Sequence, residues 1–286
     1  MFRNFFTHIN SPSAVRERAA DRPLPVYPSQ PAVPPFEWYV NKAIHGECID
    51  VLGRFPARSI DCIITDPPYL VNFVDRSRRA FQNDNPHDGH WLLPAYQQMY
   101  RVLKNDSFCV SFYGYTRAEW FLSAWREAGF RIEEHLTFIK HYPSSTGQLA
   151  RHHEQAYVLS KGKPKVSTTI RNVIEFPYSG NKYHPSQKPI EALLPLVTAF
   201  SKPKDIVCDP FMGSASTCIA AQQTGRRFIG IELDRTYYDM AMQRLQAART
   251  DSYQLTNHDD QRHVLRGDAT AQGRYSRTLS TPREEN

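Results

Sequence analysis

Short apolar runs alternate with amphipathic segments through the middle of the chain, and this alternation limits the fold more than any other feature. The apolar runs are rich in β-branched residues, which favours buried strands, and the segments between them repeat apolar residues at helical spacing. Strands separated by helices are typical of a doubly wound, mostly parallel sheet. The pattern therefore predicts an α/β fold, in which ligands bind at the carboxyl ends of the strands.

The individual elements follow from the same patterns. The predicted strands are the start of AIHGECIDVLGRF, then SIDCIITDPPY, SFCVSFYG, RIEEHLTFIK, HEQAYVLSKG, DIVCDPF and RRFIGIELD, and RIEEHLTFIK is expected to pair with HEQAYVLSKG. The predicted helices are the end of AIHGECIDVLGRF, then HWLLPAYQQMYRVLK, TRAEWFLSAWREAGF, KPIEALLPLVTAF, SASTCIAAQQTG and RTYYDMAMQRLQAAR. Gly129 is the expected stop of TRAEWFLSAWREAGF, and Pro189 opens KPIEALLPLVTAF at its first turn.

One predicted strand ends in the sequence Asp66-Pro67-Pro68-Tyr69. Proline cannot donate to a sheet ladder, so the strand stops there and the backbone beyond it is rigid and extended. The Asp66 carboxylate and the Pro67 carbonyl can then offer two fixed acceptors to the two N–H donors of a planar amino group, while Tyr69 stacks on the ring that bears it. This arrangement suits adenine or cytosine. The simpler interpretation is a turn in which Asp66 only caps the residues that follow.

A second predicted strand ends at Asp209 and leads through a small-residue turn, GSAS (213–216), into a helix. Small residues let the backbone approach a ligand, and a helix N-terminus offers unpaired N–H groups. The next strand ends in Glu232, at the position where nucleoside-binding sheets hold a ribose hydroxyl. The two segments suggest a nucleoside cofactor, although neither Gly-x-Gly-x-x-Gly nor Gly-Lys-Ser/Thr occurs in the sequence. Taken alone, they fit a plain strand–turn–helix with an acidic loop equally well.

The combination of Asp-Pro-Pro-Tyr (66–69) with Asp-Pro-Phe-Met-Gly-Ser (209–214) resembles the amino-group DNA methyltransferases that use S-adenosylmethionine. Two further segments resemble motifs of that family: HPSQKPIEALLPLV (184–197) and GIELDRTYYDMA (230–241). HGECIDVL (45–52) resembles its opening motif, with Glu47 in place of the first aspartate. Because the catalytic motif precedes the cofactor motif, the resemblance is to the permuted β class, with its Rossmann-like methyltransferase fold. It covers roughly residues 43–249.

The resemblance implies methyl transfer from S-adenosylmethionine to the exocyclic 6-amino group of adenine, in a base flipped out of double-stranded DNA. It implies that Asp66 remains ionised and that neither a metal ion nor a covalent intermediate takes part. The implied catalytic residues are Asp66, Pro67, Pro68 and Tyr69. The implied cofactor-binding residues are Cys48, Ile49, Asp50, Asp66, Lys188, Asp209, Pro210, Phe211, Gly213, Ser214, Ser216, Thr217, Glu232 and Leu233.

Several alternatives stay open. Ala215 stands where the family usually has a second glycine, so an inactive DNA-binding relative is one of them. The aspartate at the start of Asp-Pro-Pro-Tyr favours adenine, but a cytosine 4-amino methyltransferase and an RNA amino-methyltransferase are two others. A protein methyltransferase that modifies glutamine is disfavoured, because its motif begins with asparagine and follows the cofactor strand.

Two basic segments are candidates for contacting DNA phosphates. The first follows the Asp-Pro-Pro-Tyr motif directly, and a solvated charge run is its alternative interpretation. The second, SKGKPKVSTTIRN (160–172), opens a short insertion near 160–185, where the resemblance places target recognition. Because the insertion is short, we expect a short recognition sequence or help from a second subunit, which leaves a homodimer open. The predicted DNA-contacting residues are Arg76, Arg78, Arg79, Lys161, Lys163 and Lys165.

Composition sets the remaining expectations. The net charge of +6 and the pI near 9.0 are compatible with a nucleic-acid partner. The five cysteines form no Cys-x-x-Cys pair, and RHHE (151–154) has no companion cluster, so neither a disulfide framework nor structural zinc is expected. Cys62, Cys109 and Cys208 stand in apolar runs and are expected to be buried thiols. The absence of a long apolar run predicts a cytoplasmic protein without a membrane span. We expect a Pro-rich arm over 1–35, extended or disordered, a catalytic domain over 36–249 and a polar, mobile tail over 250–286.

Overall fold

The computed structural model describes residues 33–74, 78, 80–143 and 148–250. The predictions for most of the arm and the tail, and for Arg76 and Arg79, therefore lie outside the described residues. The strands are β1 Lys42–His45, β2 Ile60–Thr65, β3 Leu103–Phe112, β4 Arg131–Ile139, β5 His153–Lys161, β6 Val173–Glu175, β7 Ile206–Asp209 and β8 Arg227–Glu232. The α-helices are α1 Cys48–Gly53, α2 Leu92–Val102, α3 Ala118–Ala128, α4 Ile190–Phe200, α5 Ser216–Gln223 and α6 over 235–250.

Local chemistry accounts for where several helices begin and end. The Glu47 side chain caps α1 by accepting hydrogen bonds from the backbone N–H groups of Ile49 and Asp50 at 2.6 and 3.0 Å. Gly129 ends α3 in the left-handed region, with φ of 103°, as predicted. Pro189 immediately precedes α4, where its missing N–H costs no helical hydrogen bond.

The strands form one sheet in the order β1-β8-β7-β2-β3-β5-β4-β6. Among the described strands, β5 alone runs against the others, because it pairs antiparallel with both β3 and β4. The predicted doubly wound, mostly parallel α/β sheet is therefore confirmed, as is the pairing of the two strands β4 and β5. The chain leaves β2 for β3 on one side and later returns to β7 on the other, so a crevice opens beyond the carboxyl ends of β2 and β7.

Helices cover both faces of the sheet. One apolar cluster packs α1, α2 and α3 against one face, with Leu52, Met99 and Trp125 fully buried. A second cluster packs α4, α5 and α6 against the other, around Leu196 and Ile219. Burial on both faces explains why residues 62–64 of β2 and 206–208 of β7 are continuous apolar runs rather than alternating ones.

β6 was not predicted as a strand, since the sequence analysis treated it as part of the insertion near 160–185. Val173, Ile174 and Glu175 become a strand because they pair with residues 137–139 of β4 at the sheet edge. Local sequence does not encode such an edge pairing, since the partner lies far away in the chain. All five cysteines are free and buried, which confirms the predicted buried thiols of Cys62, Cys109 and Cys208. No helix in the described ranges is both long and apolar enough to cross a membrane.

Candidate active site

A cavity of about 1240 Å³ opens at the crevice beyond the carboxyl ends of β2 and β7. The two strand ends are joined directly, because the Thr65 hydroxyl donates to Oδ1 of Asp209 at 2.9 Å. Asp66 follows β2 immediately, and Asp209 is the last residue of β7. Two segments that are distant in sequence thus contribute one carboxylate each to the same cavity.

Asp66 is the centre of a hydrogen-bonded group of charged side chains. Its Oδ2 atom forms an ion pair with Nζ of Lys188, and its Oδ1 atom accepts from the Tyr69 hydroxyl at 2.7 Å. Burial raises the pKa of Asp66 above its ordinary value, and the Lys188 ammonium opposes that rise. Burial and the neighbouring Asp66 charge raise the pKa of Tyr69, so its hydroxyl remains a donor.

A second charged pair, Glu154 of β5 and Lys140 just beyond β4, lies on the other side of Tyr69. Lys140 forms an ion pair with Oε1 of Glu154, and Oε2 of the same carboxylate is 3.5 Å from the Tyr69 hydroxyl. Burial alone would raise the pKa of Glu154, but Lys188 and Lys140 outweigh it and lower that pKa. Glu154 is therefore a carboxylate in contact with the Asp-Pro-Pro-Tyr segment.

The loop after Asp66 is held by groups outside the motif. The buried Asp84 carboxylate accepts from the backbone N–H groups of Val71 and Phe73 at 3.1 and 2.5 Å, which ties these two residues to Asp84. Gly114, two residues beyond β3, lies against Tyr69, and a Cβ atom at Gly114 would stand 2.7 Å from Cβ of Tyr69. This approach requires glycine, because real Cβ atoms do not come that close to other carbon atoms.

The small-residue turn before α5 faces the same cavity. Gly213 has φ of 49°, and its N–H donates to Oε2 of Glu232 at 2.9 Å. The N–H of Asp234 donates to Oε1 of Glu232 at 2.8 Å, and burial raises the pKa of this carboxyl. A carboxylate has about four lone-pair sites, so Glu232 keeps acceptor capacity for a ligand beside its backbone partners.

Ala215 occupies the left-handed region, with φ of 63°, at the N-terminus of α5. Its methyl group is fully buried in the second apolar cluster and does not line the cavity. Behind the turn, Nη1 of Arg244 in α6 donates to the carbonyl and hydroxyl of Ser214 and to the hydroxyl of Ser216, at 2.8 to 3.0 Å. The turn is therefore fixed from the side opposite the cavity.

Asp209 is more deeply buried than Asp66. Its Oδ1 atom accepts from the Thr65 hydroxyl and from the Phe211 N–H at 3.1 Å, and Thr217 is a further hydrogen-bond partner. Burial raises the pKa of Asp209 to about 7 in spite of these hydrogen bonds. Near neutral pH this carboxyl is close to half protonated.

Comparison with known proteins places this site in a family. A model of N6 and N4 methyltransferases, described as DNA methylase, matches residues 60–180 and 172–243. YubD of Escherichia coli (strain K12), a candidate methylase, is 45% identical over 222 residues, which are 77% of this chain and 97% of YubD. The DNA adenine methyltransferase YhdJ of the same strain is 30% identical over 248 residues, or 72% of this chain and 82% of YhdJ. The chain belongs to the N6/N4 DNA methyltransferase family.

Solved structures agree with the fold of this methyltransferase. The M1.HpyAVI–SAM complex has a TM-score of 0.58 and 24% identity, and the match covers 71% of this chain and 98% of that one. S-adenosylmethionine is the methyl donor of the family. The site fits a nucleoside cofactor: Gly213 supplies a turn without a side chain, Glu232 keeps acceptor sites, and the cavity exceeds the volume of an ordinary small-molecule pocket.

Most of the predicted site residues of the methyltransferase line this one cavity. Ile49 and Asp50 do not, because they lie in the first turn of α1, where their N–H groups are bound to Glu47. Lys188 was expected near the cofactor, and the structure places its ammonium on Asp66. The predicted residues that line the cavity are Cys48, Asp66, Pro67, Pro68, Tyr69, Lys188, Asp209, Pro210, Phe211, Gly213, Ser214, Ser216, Thr217, Glu232 and Leu233.

The placement of Lys161 contradicts the prediction that it contacts DNA. Lys161 is buried, and its ammonium donates to the carbonyls of Tyr100 and Leu103 at 2.6 and 2.7 Å. Lys161 ends the antiparallel strand β5 and pairs with Ser107 of β3, whereas Ala156 of β5 pairs with Phe112 at the carboxyl end of β3. Lys161 therefore lies towards the amino ends of the parallel strands, away from the cavity. Local sequence could not reveal this, because only the direction of β5 decides which edge its last residue reaches.

Of the other predicted DNA contacts, Arg78, Lys163 and Lys165 lie in the described ranges, and all three are exposed. The N–H of Lys163 donates to Asp106 in β3. Lys163 therefore lies on the same side of the sheet as Lys161, away from the cavity, and Lys165 follows in the same loop. Arg78 lies in the loop after the catalytic motif, two residues before Ala80, which lines the cavity. Contact of these three residues with DNA stays a prediction.

Sequence reasoning did not identify five residues that support the site. They come from β5, from the ends of β3 and β4, from the catalytic loop and from α6. Only the Glu154 position carried a signal, because RHHE (151–154) was noted as a polar cluster. No group of three or more His, Cys, Asp or Glu side chains in the described ranges is arranged to hold a metal ion. The five residues are Asp84, Gly114, Lys140, Glu154 and Arg244.

Proposed function

We propose that the protein is a site-specific DNA methyltransferase that acts on the 6-amino group of adenine, in a base flipped out of the duplex. The observation that carries the proposal is the meeting of Asp66, Pro67 and Tyr69 with Asp209 and Glu232 around one cavity. One side of this cavity supplies acceptors for an amino group, and the other supplies a small-residue turn and a carboxylate for a nucleoside. The relationship to YhdJ, a DNA adenine methyltransferase, supports adenine as the base.

Binding of the amino group depends on the acceptors at the end of β2. The Asp66 carboxylate and the Pro67 carbonyl accept the two amino hydrogens, so the nitrogen lone pair turns away from the ring and towards the methyl donor. The ring of Tyr69 covers the base. S-adenosylmethionine, when bound, supplies an electrophilic methyl group on a sulfonium. A base and a cofactor that fill the cavity displace water from it, which strengthens each of these hydrogen bonds.

Proton transfer follows from the same geometry. The amino nitrogen attacks with its lone pair, the sulfur–methyl bond breaks, and the nitrogen then carries one proton too many. Asp66 is already hydrogen-bonded to that nitrogen, so it accepts the proton and passes it to solvent. Asp66 must be ionised when the base binds, and its raised pKa sets the lower pH limit of the reaction. Lys188 keeps Asp66 ionised towards lower pH than burial alone would allow.

Target recognition is proposed for the second half of the predicted insertion. Four residues that follow β6 line the cavity: Phe176, Tyr178, Asn181 and His184. Residues 160–172 begin instead towards the amino ends of the parallel strands, away from the cavity. At the mouth of the cavity the guanidinium of Arg151 lies 5.0 Å from the ring of Tyr115. Aromatic and basic groups of this kind stack on bases and contact phosphates.

The test is methyl transfer from labelled S-adenosylmethionine to mixed duplex DNA, followed by digestion to nucleosides. Label is expected in N6-methyladenine, and Asp66→Ala should abolish it while cofactor binding survives. Asp239→Ala removes a carboxylate that is half exposed on α6 and should leave transfer unchanged.

Other distributions of the label would revise the proposal. Label in N4-methylcytosine would keep the mechanism and change the base. Transfer to RNA alone would change the substrate. No transfer and no cofactor binding would favour an inactive DNA-binding relative.

A further inference from the structure

Tyr69 has two carboxylates within reach of its single hydroxyl proton. The hydroxyl donates to Oδ1 of Asp66 at 2.7 Å, while Oε2 of Glu154 stands at 3.5 Å, beyond the usual hydrogen-bond length. Lys188 completes the arrangement by donating to the Tyr69 oxygen at 3.4 Å. The hydroxyl therefore favours Asp66 in this structure and has a second acceptor close by.

The proposed function requires the first of these acceptors for another purpose. An amino group that binds Asp66 at Oδ1 competes with the Tyr69 hydroxyl for that oxygen, while Oδ2 already accepts from the Lys188 ammonium. The Tyr69 hydroxyl would then lose its partner in a buried site, and an unsatisfied buried donor is costly. Its movement towards Glu154 needs less than 1 Å to reach an ordinary hydrogen-bond length.

We propose that Glu154 is a positioning residue that accepts the Tyr69 hydroxyl when the target amino group takes its place on Asp66. This inference rests on the proposed function and adds a role for a side chain outside the Asp-Pro-Pro-Tyr motif. Lys140 prepares Glu154 for the role, because its ammonium occupies Oε1 and leaves Oε2 directed at Tyr69. This change of acceptor keeps the Tyr69 hydroxyl hydrogen-bonded both with and without the target base, so the Tyr69 ring stays over the base.

Glu154→Gln is the most direct variant. The Lys140 ammonium needs an acceptor, so the glutamine carbonyl turns to Lys140 and its NH₂ group faces Tyr69, which then cannot donate to it. We expect kcat for methyl transfer to fall about tenfold, with an unchanged KM for S-adenosylmethionine. Glu175→Gln is the matched control, because Glu175 is an exposed carboxylate of β6 that pairs with His141.

A double-mutant cycle separates this role from a structural one. Tyr69→Phe removes the hydroxyl, so adding Glu154→Gln to it should lower kcat no further. If the two losses multiply, Glu154 acts independently of Tyr69 and the inference is overturned. Should Glu154→Gln fail to fold, the paired change Glu154→Leu with Lys140→Met removes both charges and the acceptor, and it must show the same dependence on the Tyr69 hydroxyl.

The pH profile of kcat is the second readout. Four titratable side chains act on the charge of Asp66. They are Lys188 from the segment before α4, Tyr69 from the loop of Asp66 itself, Glu154 from β5 and Asp209 from β7. The Glu154 charge raises the pKa of Asp66, so its removal should move the acid limb to lower pH. An acid limb that stays in place would contradict the contact. A wild-type enzyme without methyl transfer would instead overturn the proposed function itself.

Discussion

Asp209→Asn tests whether the buried carboxyl at the end of β7 destabilises the fold when it ionises. An asparagine at this position keeps the acceptor for the Thr65 hydroxyl and the Phe211 N–H, and its NH₂ group can donate to the Thr217 hydroxyl. The variant therefore preserves the packing and removes only the titration. Any change in how stability depends on pH then reports on Asp209 itself.

The size of the effect follows from the pKa. Burial raises the pKa of Asp209 from an ordinary value of 3.8 to about 7, which corresponds to about 4 kcal/mol of free energy of unfolding. Because the folded state binds this proton more tightly than the unfolded state, the stabilisation is complete below pH 3.8 and disappears as the pH rises through about 7. Between pH 5 and pH 8 the wild type should lose about 3 kcal/mol that Asp209→Asn retains.

Urea unfolding of the cofactor-free protein, followed by tryptophan fluorescence at several values between pH 5 and pH 8, measures this difference. Asp239→Asn makes the same chemical change on the exposed surface of α6 and should follow the wild type. Parallel pH dependences for wild type and Asp209→Asn would refute the reasoning. They would mean that water or local rearrangement solvates the ionised Asp209 at no cost to stability.

Three further substitutions probe the site. Lys188→Met leaves Asp66 without its ion-pair partner in a buried site, so the free energy of unfolding at pH 8 should fall by about 3 kcal/mol, and the acid limb of methyl transfer should move to higher pH. Gly114→Ala places a Cβ atom 2.7 Å from Cβ of Tyr69, so the loop must shift, and kcat should fall about 100-fold. Ala215→Gly relieves about 1 kcal/mol of left-handed strain. The substitution also removes a buried methyl group worth about 0.8 kcal/mol and raises the conformational entropy of the unfolded chain. Because these two effects oppose the relief of strain, the free energy of unfolding should stay within about 1 kcal/mol of the wild-type value.

Each of these outcomes has a control or a contrary result. Gly53→Ala adds a methyl group where no atom lies within 4 Å, and it should leave kcat unchanged. An acid limb that moved to lower pH in Lys188→Met would contradict the pairing with Asp66. A large gain in cofactor affinity on Ala215→Gly would show that the alanine impairs the site after all, in spite of its position outside the cavity.

The sequence by itself determined the class of fold and most of the site. Continuous apolar runs such as 62–64 and 206–208 predict strands buried on both faces, and strands of that kind occur in sheets covered by helices. Because ligands bind where such strands end, the residues that follow them marked the site before any contact was known. Local rules also placed Gly129 at the end of α3 and Pro189 at the start of α4.

Only the tertiary structure decided which side chains meet. Because β5 is antiparallel, its first residues, including Glu154, lie at the cavity. Its last residue, Lys161, lies towards the amino ends of the parallel strands, away from the cavity. The same pairing brings Lys140 to Glu154, and the return of the chain to β7 joins Asp209 to Thr65. Strand order and direction are set by contacts between residues far apart in sequence, which local patterns do not encode. The sequence therefore indicated the acceptors for the amino group, while the fold supplied the charges that hold them.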